Sequence, residues 1–151
     1  MTLYEFLKFV HVLLAIVAVG FNASYGIWIA RAAKEPEHEL HILRGIKFLD
    51  DRIANPAYGL LLVIGIALVF VGNWEITTFW ILTSLILYAV VTVLAITTYS
   101  PALRQQIALL EAGRGKSDEY AALSKRAGMV GGLMGALVVA IVFLMVTKPT
   151  L

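Results

Sequence analysis

Long apolar runs alternate with short polar breaks along the whole chain. Four runs, over residues 3–30, 56–72, 77–99 and 128–147, approach or exceed the roughly 20 helical residues that carry a chain across a bilayer core. Strict apolar–polar alternation is absent, which argues against a barrel. The pattern predicts an all-α protein: one transmembrane four-helix bundle, up-down-up-down, occupying residues 1–151 as a single domain. At 3.6 residues per turn, Tyr4, Lys8, His11, Ala15, Ala18, Asn22, Tyr25 and Gly26 share one sector of the first helix, whereas Phe9, Leu13, Ile16 and Ile27 lie outside it. A small, polar stripe of that kind is expected to face the bundle interior. A second one, Ser84, Tyr88, Thr92, Ala95 and Tyr99, runs along the third span.

The breaks carry their own signals. Arg31–Glu39 is polar and contains Pro36, which predicts a turn at the membrane surface. Leu40, Leu43, Ile46, Leu49 and Ile53 then recur at helical spacing, with Arg44, Lys47, Asp50 and Asp51 assigned to the polar side of an amphipathic helix. Pro56 should kink or restart this helix as it enters the second span, with Asn55 satisfying freed backbone groups. Gly72-Asn73 closes that span, and Trp74 and Trp80 are placed in the interfacial belt. Ser100-Pro101 predicts another kink, followed by a helical extension ending at Gly113-Arg114-Gly115. Ser117, ahead of Asp118 and Glu119, reads as the N-cap of the last helix.

Composition sharpens the class. With 60% hydrophobic and 15% charged residues in 151, the chain belongs with membrane proteins. Lys8 stands inside the first run and no basic segment precedes it, so that helix is expected to be retained rather than cleaved as a signal. All Lys and Arg residues except Lys8 and Lys148 fall on the side of the first and third connections. The expected setting is the bacterial cytoplasmic (inner) membrane, both termini on the non-cytoplasmic side and the helices extending past the membrane on the cytoplasmic side. Acidic residues share that side and the net charge is only +2, so lipid is the expected partner and nucleic acid is not. There is no cysteine, which removes disulfides and thiolate metal sites.

His11 is the one histidine placed deep in an apolar span. At about 1.5 Å per residue, its layer on the other helices falls near Gly65, Ser84 and Ala140. An imidazole there suits axial ligation of a b-type haem; no second ligand is obvious, and Met145 is the methionine closest to that layer. The candidate cofactor-binding set is His11, Gly65, Ser84, Tyr88 and Met145, with His11 as metal ligand. Two alternatives stay open: a neutral His11 hydrogen-bonded to Ser84, Tyr88 or water, and a proton relay through Lys8, His11 and Asn22. His38 and His41 with Glu35, Glu37 and Glu39 offer a weaker metal site, best read as a solvated turn. Asn22 and Asn55 lie at similar depth, as if to bond across the first two helices. The last span spaces Gly128, Gly132, Ala136 and Ala140 by four, a surface for packing within the chain or for a homodimer or larger complex through Gly128, Gly132 and Ala136.

The run Phe6-Leu7-Lys8-Phe9-Val10-His11 with Gly20, and Asp51-Arg52 ahead of Pro56 and Gly65, resembles an uncharacterised family of small bacterial four-helix integral membrane proteins. More distantly it is similar to the CopD-like copper-resistance membrane domain and the HemJ-type protoporphyrinogen oxidases. The HemJ-type likeness implies that His11 matches a haem-ligating histidine and that the protein has a redox or haem-handling role. The competing expectation is a non-catalytic accessory subunit of a larger membrane complex.

Overall fold

The computed structural model describes residues 1–149. Six α-helices follow in order: α1 Leu3–Ala32, α2 Glu39–Leu49, α3 Asn55–Val71, α4 Phe79–Leu94, α5 Ser100–Glu111 and α6 Asp118–Thr147. Short π-helical turns, Asp50–Ala54 and Ala95–Tyr99, fuse α2 to α3 and α4 to α5. Four continuous rods result, Leu3–Ala32, Glu39–Val71, Phe79–Glu111 and Asp118–Thr147, each long and apolar enough to cross a membrane. They run up-down-up-down, an all-α four-helix bundle.

The two prolines explain the π-turns. Each follows its turn by two residues, Pro56 after Ala54 and Pro101 after Tyr99. A proline inside a helix has no N–H and pushes on the carbonyl four residues back. Widening the preceding turn relieves that pressure, and the Asn55 and Ser100 amides accordingly bond five residues back, to the Asp50 and Ala95 carbonyls. The kinks expected at both prolines are thus widened turns inside unbroken rods.

Helix ends follow local chemistry. Thr2 and Glu5 form a reciprocal capping box, the Thr2 amide donating to Glu5 Oε2 at 2.7 Å and the Glu5 amide to Thr2 Oγ1 at 3.2 Å. Ser117 caps α6 as its sequence position predicts, accepting from the Tyr120 amide. At the end of α5, Gly113 takes φ +70° while the Arg114 amide reaches the Leu109 carbonyl, a left-handed stop that glycine favours. After α3 the left-handed position falls on Asn73 (φ 52°) rather than on Gly72.

Packing divides the molecule into two halves. At the charged end, where α2, α5 and the start of α6 gather, Tyr25, Leu43, Ile46 and Leu103 form a buried core. Arg44 clamps α2 to α5 through Glu111 (2.6 Å), and the Tyr120 hydroxyl ties α6 to Glu39 of α2. In the other half α1 packs on α3 and α4 packs on α6, while α1 touches α6 only lightly. Large apolar side chains such as Phe9, Ile16, Val63, Phe70, Val93 and Phe143 face outward there. A belt of that kind is a surface for lipid, because it has nothing polar to offer water. Toward the chain termini, Trp80 is buried within the bundle. It packs edge-on against Trp74 (centroids 5.5 Å apart), and the Lys148 ammonium sits 5.3 Å from both rings.

Candidate functional site

The two polar stripes do turn inward. On α1, Ala18 and Tyr25 are buried and His11 and Asn22 half-buried, while Lys8 and Gly26 fall outside. On α4, Ser84 is only 2% exposed. The His11 imidazole is seated on Gly65 of α3. A Cβ added at Gly65 would stand 2.9 Å from His11 Cε1 and 3.6 Å from Nδ1, so the ring occupies the space that any larger residue would need. The Leu61 carbonyl, one turn away on α3, also faces the ring.

What the polar atoms then do is informative. His11 Nδ1 and Ser84 Oγ are both sealed from solvent without a hydrogen-bond partner. Buried polar groups normally find one, and leaving one unsatisfied costs about 1–3 kcal/mol. The hydrogen bond from His11 to Ser84 or Tyr88 weighed from the sequence is therefore not made. Tyr88 instead donates to the Tyr58 carbonyl of α3 at 2.9 Å, and Asn22 donates through Nδ2 to the Tyr58 hydroxyl at 2.9 Å. Asn55, the partner expected for Asn22, bonds Asp50 at 3.3 Å. Tyr58 thus joins α1, α3 and α4, a role that periodicity and residue type do not signal.

The remaining sequence candidates separate. Met145 is half-buried on α6. Near the surface, His38 Nδ1 lies 3.8 Å from Glu35 and 3.7 Å from Glu37, all exposed, while Glu39 turns to Tyr120. Among the described residues no three His, Cys, Asp or Glu side chains converge as a metal site. A haem would thus find one free imidazole nitrogen donor, His11, and no preassembled second ligand.

A second polar centre lies at the charged end. Asp50, expected on the solvated side of α2, is 7% exposed. Leu43, Ile46 and Asp50 stand at i, i+3 and i+7, one face of a helix, so the spacing held the signal although the residue type pointed outward. Burial pushes the Asp50 carboxyl above the usual carboxylate range. The Asn55 hydrogen bond opposes this, neighbouring Asp51 adds to it and Lys47 opposes it.

The small-residue face of α6 also resolves. Gly131 meets the Tyr99 ring, 3.4 Å from a Cβ built there, whereas Gly128, Gly132 and Gly135 have nothing within 4 Å of such an atom. Gly128, Gly132 and Ala136 are exposed.

Four membrane-length rods around an interior of histidine, serine, asparagine and tyrosine define a four-helix integral membrane protein. The chain belongs to the family described as "Predicted integral membrane protein (DUF2269)", whose model matches residues 5–149. No curated protein and no solved structure matched it.

Proposed function

We propose that this protein binds a b-type haem in the membrane through His11 and serves a redox or haem-handling role. The observation that carries the reading is the sealed, unpartnered Nδ1 of an imidazole held against Gly65 in an apolar span. Ionisable groups at such depth are expensive and usually serve a ligand or a transported charge. A bound haem would supply one-electron chemistry. The chain's own contribution is positional: Gly65 of α3 admits the ring of His11 on α1. The distant likeness to HemJ-type proteins supports the same ligand. Copper handling of the CopD-like kind has less support, because neither cysteine nor a methionine cluster offers soft donors. The distribution of Lys and Arg favours the inner membrane with both termini on the non-cytoplasmic side.

Purification after haem-supplemented expression tests this. A Soret band that is lost in His11→Ala supports the proposal, and a colourless preparation of folded protein overturns it.

A second reading, as an accessory subunit or homodimer partner, is favoured by the exposed Gly128, Gly132 and Ala136 face, which no helix of this chain covers. Cross-linking in native membranes should then capture a stoichiometric neighbour through α6. Recovery of single chains under the same conditions would count against it.

A further inference from the structure

Gln106 is a polar side chain that α5 turns inward. It is 5% exposed, between the buried Leu103 and Leu109 one turn to either side. A primary amide offers two N–H donors and an oxygen with two acceptor sites. Nε2 spends one donor on the Ala102 carbonyl of its own helix, at a long 3.4 Å. The amide oxygen makes no hydrogen bond among the described residues, yet it is not sealed as His11 Nδ1, Ser84 Oγ and the Tyr25 hydroxyl are. It borders open space.

That space is a cavity of about 30 Å³ at the charged end, to which all four rods contribute. Ile29 comes from α1, Leu43 from α2, Tyr99 and Gln106 from the third rod, and Ser124 and Ala127 from α6. Tyr99 and Ser124 are half-buried, and their hydroxyls likewise make no hydrogen bond among the described residues and are not sealed. Three polar groups without full partners therefore meet one small void.

Size and chemistry select the occupant. A water molecule takes up about 30 Å³ in the liquid and stays in a protein interior when about two to four polar partners hold it. The void is far too small for an organic ligand, and none of its lining side chains carries a charge that would hold an ion.

We propose that one water molecule is bound in this cavity, held by the Gln106 amide and the Tyr99 and Ser124 hydroxyls. It completes the hydrogen bonding of Gln106 and bridges α5 to α6, which no side-chain hydrogen bond joins directly among the described residues. The site is separate from His11, so it stands whether or not haem is bound.

Nuclear magnetic resonance of the full chain in lipid nanodiscs tests this, with 15N in the glutamine side chains. The chain has two glutamines, exposed Gln105 and buried Gln106, so one amide reports on the cavity and its neighbour on bulk solvent. Gln105→Ala assigns the two signals. The Gln106 amide protons should give cross-peaks to water of opposite sign in laboratory-frame and rotating-frame experiments, the signature of a water that tumbles with the protein. Those of Gln105 should have the same sign in both. Ala127→Leu fills the cavity and should abolish the Gln106 cross-peaks. Xenon, which enters dry apolar voids, should leave the Gln106 signal unmoved. The proposal is overturned if Gln106 gives no cross-peak to water or behaves as Gln105 does, if its cross-peaks persist in folded Ala127→Leu protein, or if xenon shifts its signal. Should Ala127→Leu fail to fold, the wild-type cross-peaks and the xenon titration decide the matter.

Discussion

The imidazole of His11 rests on the backbone of Gly65, with Cε1 2.9 Å from where a Cβ would be. A methyl group at that point must push the ring off the helix. Gly65→Ala should therefore destabilise the bundle by about 1–3 kcal/mol, despite alanine's better helix propensity. His11→Ala should also destabilise it, by emptying the same volume. The pair Gly65→Ala/His11→Ala should cost less than the sum by about 0.5–3 kcal/mol, since each change removes what the other disturbs. Thermal unfolding in detergent measures all three, and additive losses would show that the two residues do not share this space.

Tyr58 carries two bonds of unequal consequence. Its hydroxyl accepts from Asn22, whereas its carbonyl accepts from Tyr88. Tyr58→Phe strands the Asn22 amide in an apolar interior and should cost about 0.6–1.7 kcal/mol, the range of polar contacts between membrane helices. Tyr88→Phe removes a second bond to a carbonyl that already lies inside the hydrogen-bonded body of α3, and its cost should be smaller. Equal losses in the two variants would contradict this ranking.

The charged end should fail first at alkaline pH. Burial, the bond to Glu39 and the charge of Glu39 all push the Tyr120 phenol upward from its ordinary 10.0. A folded-state value above the unfolded one means that the linkage stabilises fully below about pH 10 and is lost as pH rises through the folded value. Above pH 10 the unfolded chain releases this proton more readily, and the α2–α6 tie weakens. Tyr120→Phe should lower stability near neutral pH and flatten the alkaline decline. Unfolding midpoints collected from pH 7 to 11 check both effects.

These contacts show which levels of structure the sequence encodes openly. Span number, the up-down order, the Ser117 cap and the inward stripes follow from periodicity and capping chemistry, which are local. Asp50 departs from the outward placement its residue type predicts and follows its i, i+7 relation to Leu43, and the cost of burying it depends on neighbours from α1 and α3. The pairing of Asn22 with Tyr58 rather than Asn55 depends on side-chain reach between helices. At Pro56 and Pro101 the chain stays helical through a widened turn, which accommodates the missing N–H and the ring.

Adjacent glycines on α6 provide the sharpest contrast between inside and outside. Gly131 faces the Tyr99 ring at 3.4 Å, and Gly132 faces open space. Leucine at position 131 has to displace the tyrosine and should cost about 1–3 kcal/mol. Leucine at position 132 meets no atom of this chain and replaces a poor helix former, so the isolated protein should be unchanged or more stable by up to about 1 kcal/mol. If Gly128, Gly132 and Ala136 dock against a second helix, Gly132→Leu should nevertheless abolish α6 cross-linking in membranes while leaving detergent stability intact. A Gly132→Leu protein that unfolds as readily as Gly131→Leu would place the exposed face inside the bundle, and full cross-linking by Gly132→Leu would remove that face as a docking surface.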